Sequence, residues 1–307
     1  MSLKSELFKG DKQLEACAVS DPAHVWEREN AVGDHVTKIQ HALVVLDCAL
    51  PKIKSEEISA RRYGPSTAAA VLDYKTARSI INKAYQTSPD NIVGKMTIAR
   101  MDKEMSDREA EIPELIRKAR VGAFQRCFNV VIQIRGLSPA PPPGRFDPNL
   151  AARERARRIA IDIFDEPNPN LDDIGDGVAQ MRDFLASPSM PLVRALVNEK
   201  ECGFRDGFVS SSNRPPVTLC ANFFAICTTD EQRIRTMIHE AAHLIGVGAS
   251  RGELYYLKFN CLNEDPQIAF GSPMSRKRID QADTWGKFVH CVSGQRPDKD
   301  DVISRRT

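Results

Sequence analysis

No two cysteines in this 307-residue sequence are spaced as Cys-x-x-Cys, which argues against a zinc site built on thiolates. No apolar run approaches the ~20 residues needed to span a bilayer, so no membrane-crossing segment is expected. No long Lys/Arg run occurs, and 43 basic against 41 acidic side chains leave a formal charge of +2. That near-balance gives no general attraction to nucleic acid, which is not an expected partner. The opening stretch, MSLKSELFKGDKQLEACAVSD, is charged throughout and lacks the apolar core of a secretory signal. It implies a chain that stays cytoplasmic or leaves by a specialised route to the periplasm or the extracellular space. No internal repeat is visible.

What is present is a globular composition, 42% apolar and 27% charged, at a length that suits two domains. The eight cysteines are Cys17, Cys48, Cys127, Cys202, Cys220, Cys227, Cys261 and Cys291. Two fall in the N-terminal third and six in the remainder. These even counts permit disulfides and an oxidising destination, with buried free thiols as the plain alternative.

Residues 1–29 read as a loosely ordered polar arm. Val36, Ile39, Leu43 and Leu46 then recur at helical spacing and form one apolar stripe. PKIKSEEISARRYGP reads as a lysine-rich loop. STAAAVLDYKTARSII predicts a second helix, with Ser66 as its N-cap and Ala70, Val71 and Tyr74 on one face. IVGKMTIARMDKEM predicts an extended piece, a glycine turn and a third helix. Three blocks stand here in order: Val36-x-x-Ile39-Gln40-x-x-Leu43, Tyr63-Gly64-Pro65-Ser66-Thr67-x-x-Ala70-Val71-x-x-Tyr74 and Asn91-Ile92-Val93-Gly94-x-x-Thr97. Together they resemble the three-helix peptidoglycan-binding domain. The resemblance implies such a module over residues 30–108 and peptidoglycan as a partner. Lys75 stands where that family usually has Gln.

Farther on, residues 109–138 predict a helix followed by a strand-like run, VVIQIRGL. SPAPPPGRFDPN is a proline-rich loop or linker. ARERARRIAIDIFD predicts a helix burying Ile159, Ala160, Ile163 and Phe164, and GVAQMRDFLASP predicts another. PPVTLCANFFAI predicts a strand. TTDEQRIRTMIHEAAHLIGVG then predicts an unbroken helix to Ile245, capped by Thr229 or Asp230.

His239 and His243 lie four residues apart on that helix, which sets both imidazoles on one face about one turn apart. Two neutral imidazoles so placed can hold one Zn2+ at ~2.0–2.1 Å. Glu240 fits the general base of the His-Glu-x-x-His metallopeptidase arrangement: it takes a proton from water and passes it to the leaving amine. Zinc assists by lowering the pKa of water from 15.7 toward ~7. A structural histidine pair is the plain alternative, and it carries a desolvation cost unless each ring finds partners. A catalytic zinc takes three protein ligands. The residue types alone leave Glu253, Glu264, Asp280, Asp283 and His290 open for the third place.

LCANFFAI, HEAAH, a glycine turn and ADTW resemble the aspzincin, or deuterolysin-type, metallopeptidases, lysine-specific endopeptidases among them. The resemblance covers roughly residues 150–290. In that family the helix is followed by G-T-x-D-x-x-Y-G, whose Asp is the third ligand and whose Tyr stabilises the oxyanion. Here Glu253-x-x-Tyr256 falls on Asp-x-x-Tyr. The resemblance therefore implies Glu253 as third ligand and Tyr256 as oxyanion partner, with Tyr255 as the alternative for that role. Asp283 falls on the Asp of N-A-D-S-Y, which implies a place in the substrate pocket. Gly286 stands where lysine-specific members carry Glu, so half of their charge pair is missing. Asp283 has two other readings, as third ligand or as a partner orienting a zinc histidine.

The expectation is an α+β, mainly helical protein. An arm over 1–29 leads to the three-helix peptidoglycan-binding-like module, and 109–307 forms a zincin-like metallopeptidase domain. The expected activity is zinc-dependent hydrolysis of a peptide or protein substrate in or near the bacterial envelope, as an effector toxin or a lytic protein. A cognate immunity protein or a secretion apparatus is an expected further partner. Two rivals stand beside it: a non-catalytic, zinc-stabilised envelope-binding or phage structural protein, and a peptidoglycan amidase.

Overall fold

The computed structural model describes residues 2–20, 23–26, 31–50, 52–84, 86–136, 148–164, 166–187, 190–200, 202–203, 205–209, 214–247 and 282–293. Among these the protein is mainly helical, with one small three-stranded sheet. No described helix is long and apolar enough to cross a membrane. The chain forms two compact units. One comprises Met1–Ile116, Val193–Phe208 and Thr218–Thr229; the other comprises Arg117–Leu192, Val209–Val217 and Asp230–Thr307.

In the first unit the N-terminal segment is more ordered than its polar composition suggests. Asp11 caps helix α1 (Lys12–Val19) by accepting from the backbone N–H groups of Gln13 and Leu14, and α1 buries Leu14 and Cys17. Ahead of it, the Asp102 carboxylate accepts from Lys4 and Ser5 N–H at 2.9 and 2.8 Å. Glu109 accepts from Glu6 and Leu7 N–H at 2.7 and 2.9 Å. The polar arm is fastened by carboxylates about a hundred positions downstream, a separation that no local pattern registers.

Helix α2 (Asp34–Asp47) buries Val36, Ile39, Leu43 and Leu46, the expected stripe. The expected loop after it holds a short helix, α3 (Ser55–Ser59). Helix α4 (Pro65–Ala77) has Pro65 in its first turn, where the missing N–H costs nothing, and its N-cap is Gly64 rather than Ser66. The capping comes from α3 instead: the Glu57 carboxylate accepts from Ser66 N–H (2.9 Å), Thr67 N–H (2.8 Å) and the Thr67 hydroxyl (2.8 Å). Burial alone would raise the Glu57 carboxyl, but these donors hold it below the usual carboxylate range. A Cβ on Gly64 would lie 2.5 Å from the Glu57 carboxyl carbon, so only glycine admits this cap. The Ser66 hydroxyl accepts from Lys54 N–H instead, at 2.9 Å. Lys75, 5% exposed, pairs with Asp90 and donates to the Ile92 carbonyl at 3.1 Å.

Helix α5 (Lys95–Arg135) carries Pro113 in its interior and takes in Val130–Arg135 of the expected strand-like stretch. Ala123, Cys127, Val130, Val131 and Ile134 are buried at helical spacing, so packing overrides the β preference of the Val-Val-Ile run. Strands β1 (Leu192–Arg194), β2 (Gly207–Val209) and β3 (Val217–Leu219) pair in the order β1-β3-β2. The expected strand over PPVTLCANFFAI is cut to the three residues of β3, and Ala221–Phe224 form a 3-10 turn that buries Phe223 and Phe224. Disulfides join Cys48 to Cys227 and Cys202 to Cys220; Cys291 is disulfide-bonded as well, while Cys17 and Cys127 are buried free thiols. Pairing therefore crosses the division by thirds that the cysteine counts suggested.

In the second unit, helices α6 (Pro148–Phe164), α7 (Leu171–Ala186), α8 (Asp230–Leu244) and α9 (Ala282–Val292) build one core. Asn170 caps α7 through Asp172 and Asp173 N–H. As expected, α6 buries Ile159, Ala160, Ile163 and Phe164. Phe164 meets Trp285 edge-on at 5.7 Å and Phe288 at 5.2 Å. α7 admits the Trp285 ring because position 177 is glycine: a Cβ there would sit 2.5 Å from the indole. α8 lies against α7 and α9 with Met237, Ile238, Ala241 and Ala242 buried, and it ends at Leu244 ahead of Gly246 at φ 95°.

Candidate metal centre

The apolar face of α8 turns Met237, Ile238 and Ala241 inward, Glu240 is drawn in beside them, and the two histidines fall at the edge of the core. His239 and His243 are accordingly half-buried, and Glu240 is 2% exposed. The two imidazole centroids lie 4.9 Å apart with ring planes at 82°. The structure thus brings together on one helical face the two rings that the sequence spacing paired.

The orientation of each ring is set by its Nδ1. His243 Nδ1 lies 2.8 Å from the Val247 carbonyl oxygen. A carbonyl only accepts, so Nδ1 carries the proton, and in the neutral ring Nε2 carries the lone pair. His239 Nδ1 lies 2.7 Å from Asp283 Oδ1, at the start of α9. The carboxylate likewise selects the Nδ1–H tautomer. Both rings therefore carry the lone pair on the same nitrogen, Nε2, the donor through which a neutral imidazole binds zinc when Nδ1–H is held by a carboxylate or a carbonyl. On these grounds the residues present fit a zinc ion held by His239 and His243.

Asp283 is 29% exposed at its side chain and lies where its carboxylate fixes the tautomer and orientation of the His239 ring. Glu253, Tyr255, Tyr256, Glu264 and Asp280 lie outside the described residues. Among the described residues no cluster of three metal-binding side chains occurs. His290 does not join the histidine pair. It is fully buried, with Nδ1 3.1 Å from an Arg126 guanidinium nitrogen and 3.2 Å from Glu231 Oε1. Arg126 also grips both oxygens of Glu231. Burial works to raise the Glu231 carboxyl, but hydrogen bonds from Arg126 and His290 hold it down at about 2.

Sequence reasoning did not find the Val247 carbonyl or the Arg126–Glu231–His290 cluster. The one available signal for the first was Gly246, which turns the chain back after α8 and returns the next carbonyl to the last histidine. The cluster gathers three distant segments and left no local trace.

Comparison with protein-family models, with curated proteins and with solved structures found no match to this chain.

Proposed function

We propose that this chain is a zinc-dependent endopeptidase acting on peptide or protein substrates in or near the bacterial envelope. The observation that carries the reading is the shared tautomer: both His239 and His243 have Nδ1 committed to an acceptor, so Nε2 of each ring serves one cation. His239 and His243 would hold Zn2+ with Glu253 as the third ligand. The ion supplies Lewis acidity, which makes water nucleophilic near neutral pH and polarises the scissile carbonyl.

Glu240 follows the first histidine on the same turn and receives the proton that water gives up, then delivers it to the departing amine. Tyr256 donates to the developing oxyanion. Asp283 holds the His239 ring in its tautomer and keeps electron density on Nε2. The disulfides at Cys48–Cys227 and Cys202–Cys220 support an exported destination, since such bonds persist where the surroundings are oxidising. The apolar stripe of α2 and the glycine-proline start of α4 support the peptidoglycan-binding-like reading of the N-terminal module.

The test uses the full oxidised chain, its metal content by elemental analysis, and its action on unfolded protein, peptides and murein. The expected result is one zinc per chain. Glu240→Ala should keep the metal and lose roughly 100-fold or more in rate, the usual worth of a general base. Undiminished activity in that variant overturns the proposal. So does a zinc-loaded chain that cleaves none of the substrates, which would favour a zinc-stabilised binding protein. Muropeptide masses separate cleavage within a peptide from cleavage at the glycan–peptide amide.

A further inference from the structure

The chain order of α8 and α9 reverses across their contact. On α8 Glu231 precedes His239 by eight residues, and on α9 Asp283 precedes His290 by seven, yet His239 meets Asp283 and Glu231 meets His290. The two helices therefore run antiparallel and are joined at two points, each separated by about two turns, roughly 11 Å along the axis. One joint is the candidate metal centre. The other is mostly buried: His290 is 0% and Arg126 3% exposed, and only the Glu231 side chain, 19% exposed, reaches toward water. Arg126 comes from a third helix, α5, and its planar fork takes both carboxylate oxygens while also meeting the imidazole.

A buried ion pair is a poor general stabiliser, because its desolvation cost offsets most of its attraction; its best-attested use is to fix register. α8 and α9 pack together, α8 burying Met237 and Ile238 and α9 burying Phe288 and Val289, and apolar packing of this kind holds helices together but tolerates sliding. A charged fork that matches one carboxylate and one imidazole does not tolerate it.

We infer that Arg126, Glu231 and His290 form a positioning lock that fixes the register of α9 on α8 and so holds Asp283 against His239 Nδ1. This rests on the reading of His239 as a zinc ligand. The three residues touch neither metal nor substrate. They act through Asp283, and a slip of α9 by one residue would withdraw the carboxylate that selects the His239 tautomer.

The test compares Glu231→Gln and Arg126→Lys with Val289→Ala, a control that removes buried apolar bulk from α9 without touching the lock. Two quantities are read on the full oxidised chain. The first needs no metal: the ring-nitrogen NMR shifts of His239 in the metal-free protein at pH 8. Wild type and Val289→Ala should show the single Nδ1–H tautomer, and Glu231→Gln and Arg126→Lys a mixture. The second is zinc affinity by competition with a chromophoric chelator. Each lock variant should lose roughly 10-fold, the scale of outer-shell losses, and Val289→Ala less than about 2-fold at an equal or greater fall in melting temperature. In the Asp283→Asn background Glu231→Gln should cost little more, because both substitutions break one chain of contacts.

A His239 ring unchanged in the lock variants overturns the inference, as does a loss of affinity no larger than the control's or fully additive with Asp283→Asn. Should wild type bind no zinc, the metal reading fails, and the metal-free NMR comparison still decides the lock. Arg126→Lys keeps the charge, so it stands in if Glu231→Gln does not fold.

Discussion

Glu231 exposes its own contribution through acid. Its carboxyl sits at about 2 in the folded chain against an ordinary 4.5. A depressed acid contributes stability that is complete above its unfolded value and is lost as pH falls through its folded one. The Glu231 contribution is thus whole above pH 4.5 and disappears toward pH 2. Glu231→Gln should lower the urea midpoint near neutral pH and flatten its fall across that window. Equal slopes for variant and wild type between pH 4.5 and 2 would contradict this assignment. At this scale the sequence was informative where chemistry is local. His239, Glu240 and His243 were legible because a four-residue spacing on one helix is a contact in itself. Asp283 was legible only as one of several readings, since its partner is 44 positions away and only the assembled helix pair sets it on Nδ1. Arg126 was not legible at all: in the sequence it is an ordinary arginine in a charged helix.

Among elements, the helices that bury a regular stripe were readable and their ends were not. α2, α6 and α7 follow their apolar spacing closely. α4 begins two residues ahead of the expected start, and its cap is borrowed from α3, which approaches across a glycine. Glu57→Ala should therefore behave as a cap deletion and lower stability by about 1–2 kcal/mol, whereas Ser66→Ala should cost less, since the Ser66 hydroxyl receives Lys54 N–H at an exposed site and is only one of several donors to Glu57. Thermal unfolding of the two variants side by side decides which residue caps the helix. The α5 segment from Val130 to Ile134 shows the opposite failure. Three β-branched residues in a row suggested a strand, but their side chains reach the core of the second unit only from a helix continuous with the preceding thirty-five residues. The sheet suffers likewise, because β3 ends at Leu219 and the aromatic pair that suggested a longer strand is buried in a 3-10 turn that begins just after Cys220.

Across the whole molecule the disulfides are the features that composition permitted but could not connect. Cys48–Cys227 closes a span of 179 residues, and Cys202–Cys220 one of 18. In the chain-entropy account a longer closed loop restricts the unfolded chain more, about 5 kcal/mol for the first against about 3 for the second. The double Ser variant at 48 and 227 should therefore lose more melting temperature than the pair at 202 and 220, a comparison that calorimetry makes directly. The opposite order would mean that local geometry, not chain confinement, sets their worth. The mainly helical class was legible at this scale from the summed apolar periodicities. Two domains were expected from the length, but the make-up of the two units was not readable, because each is assembled from three separate stretches of chain.

The long cross-link has a further consequence for how the chain ages in oxidising surroundings. A protease that cuts once anywhere between positions 48 and 227 yields two pieces that stay tied through sulfur. Such nicked molecules keep their mass on a non-reducing gel and separate only once a reductant is added. Damage to the backbone across most of the chain would then go unseen until the surroundings turn reducing.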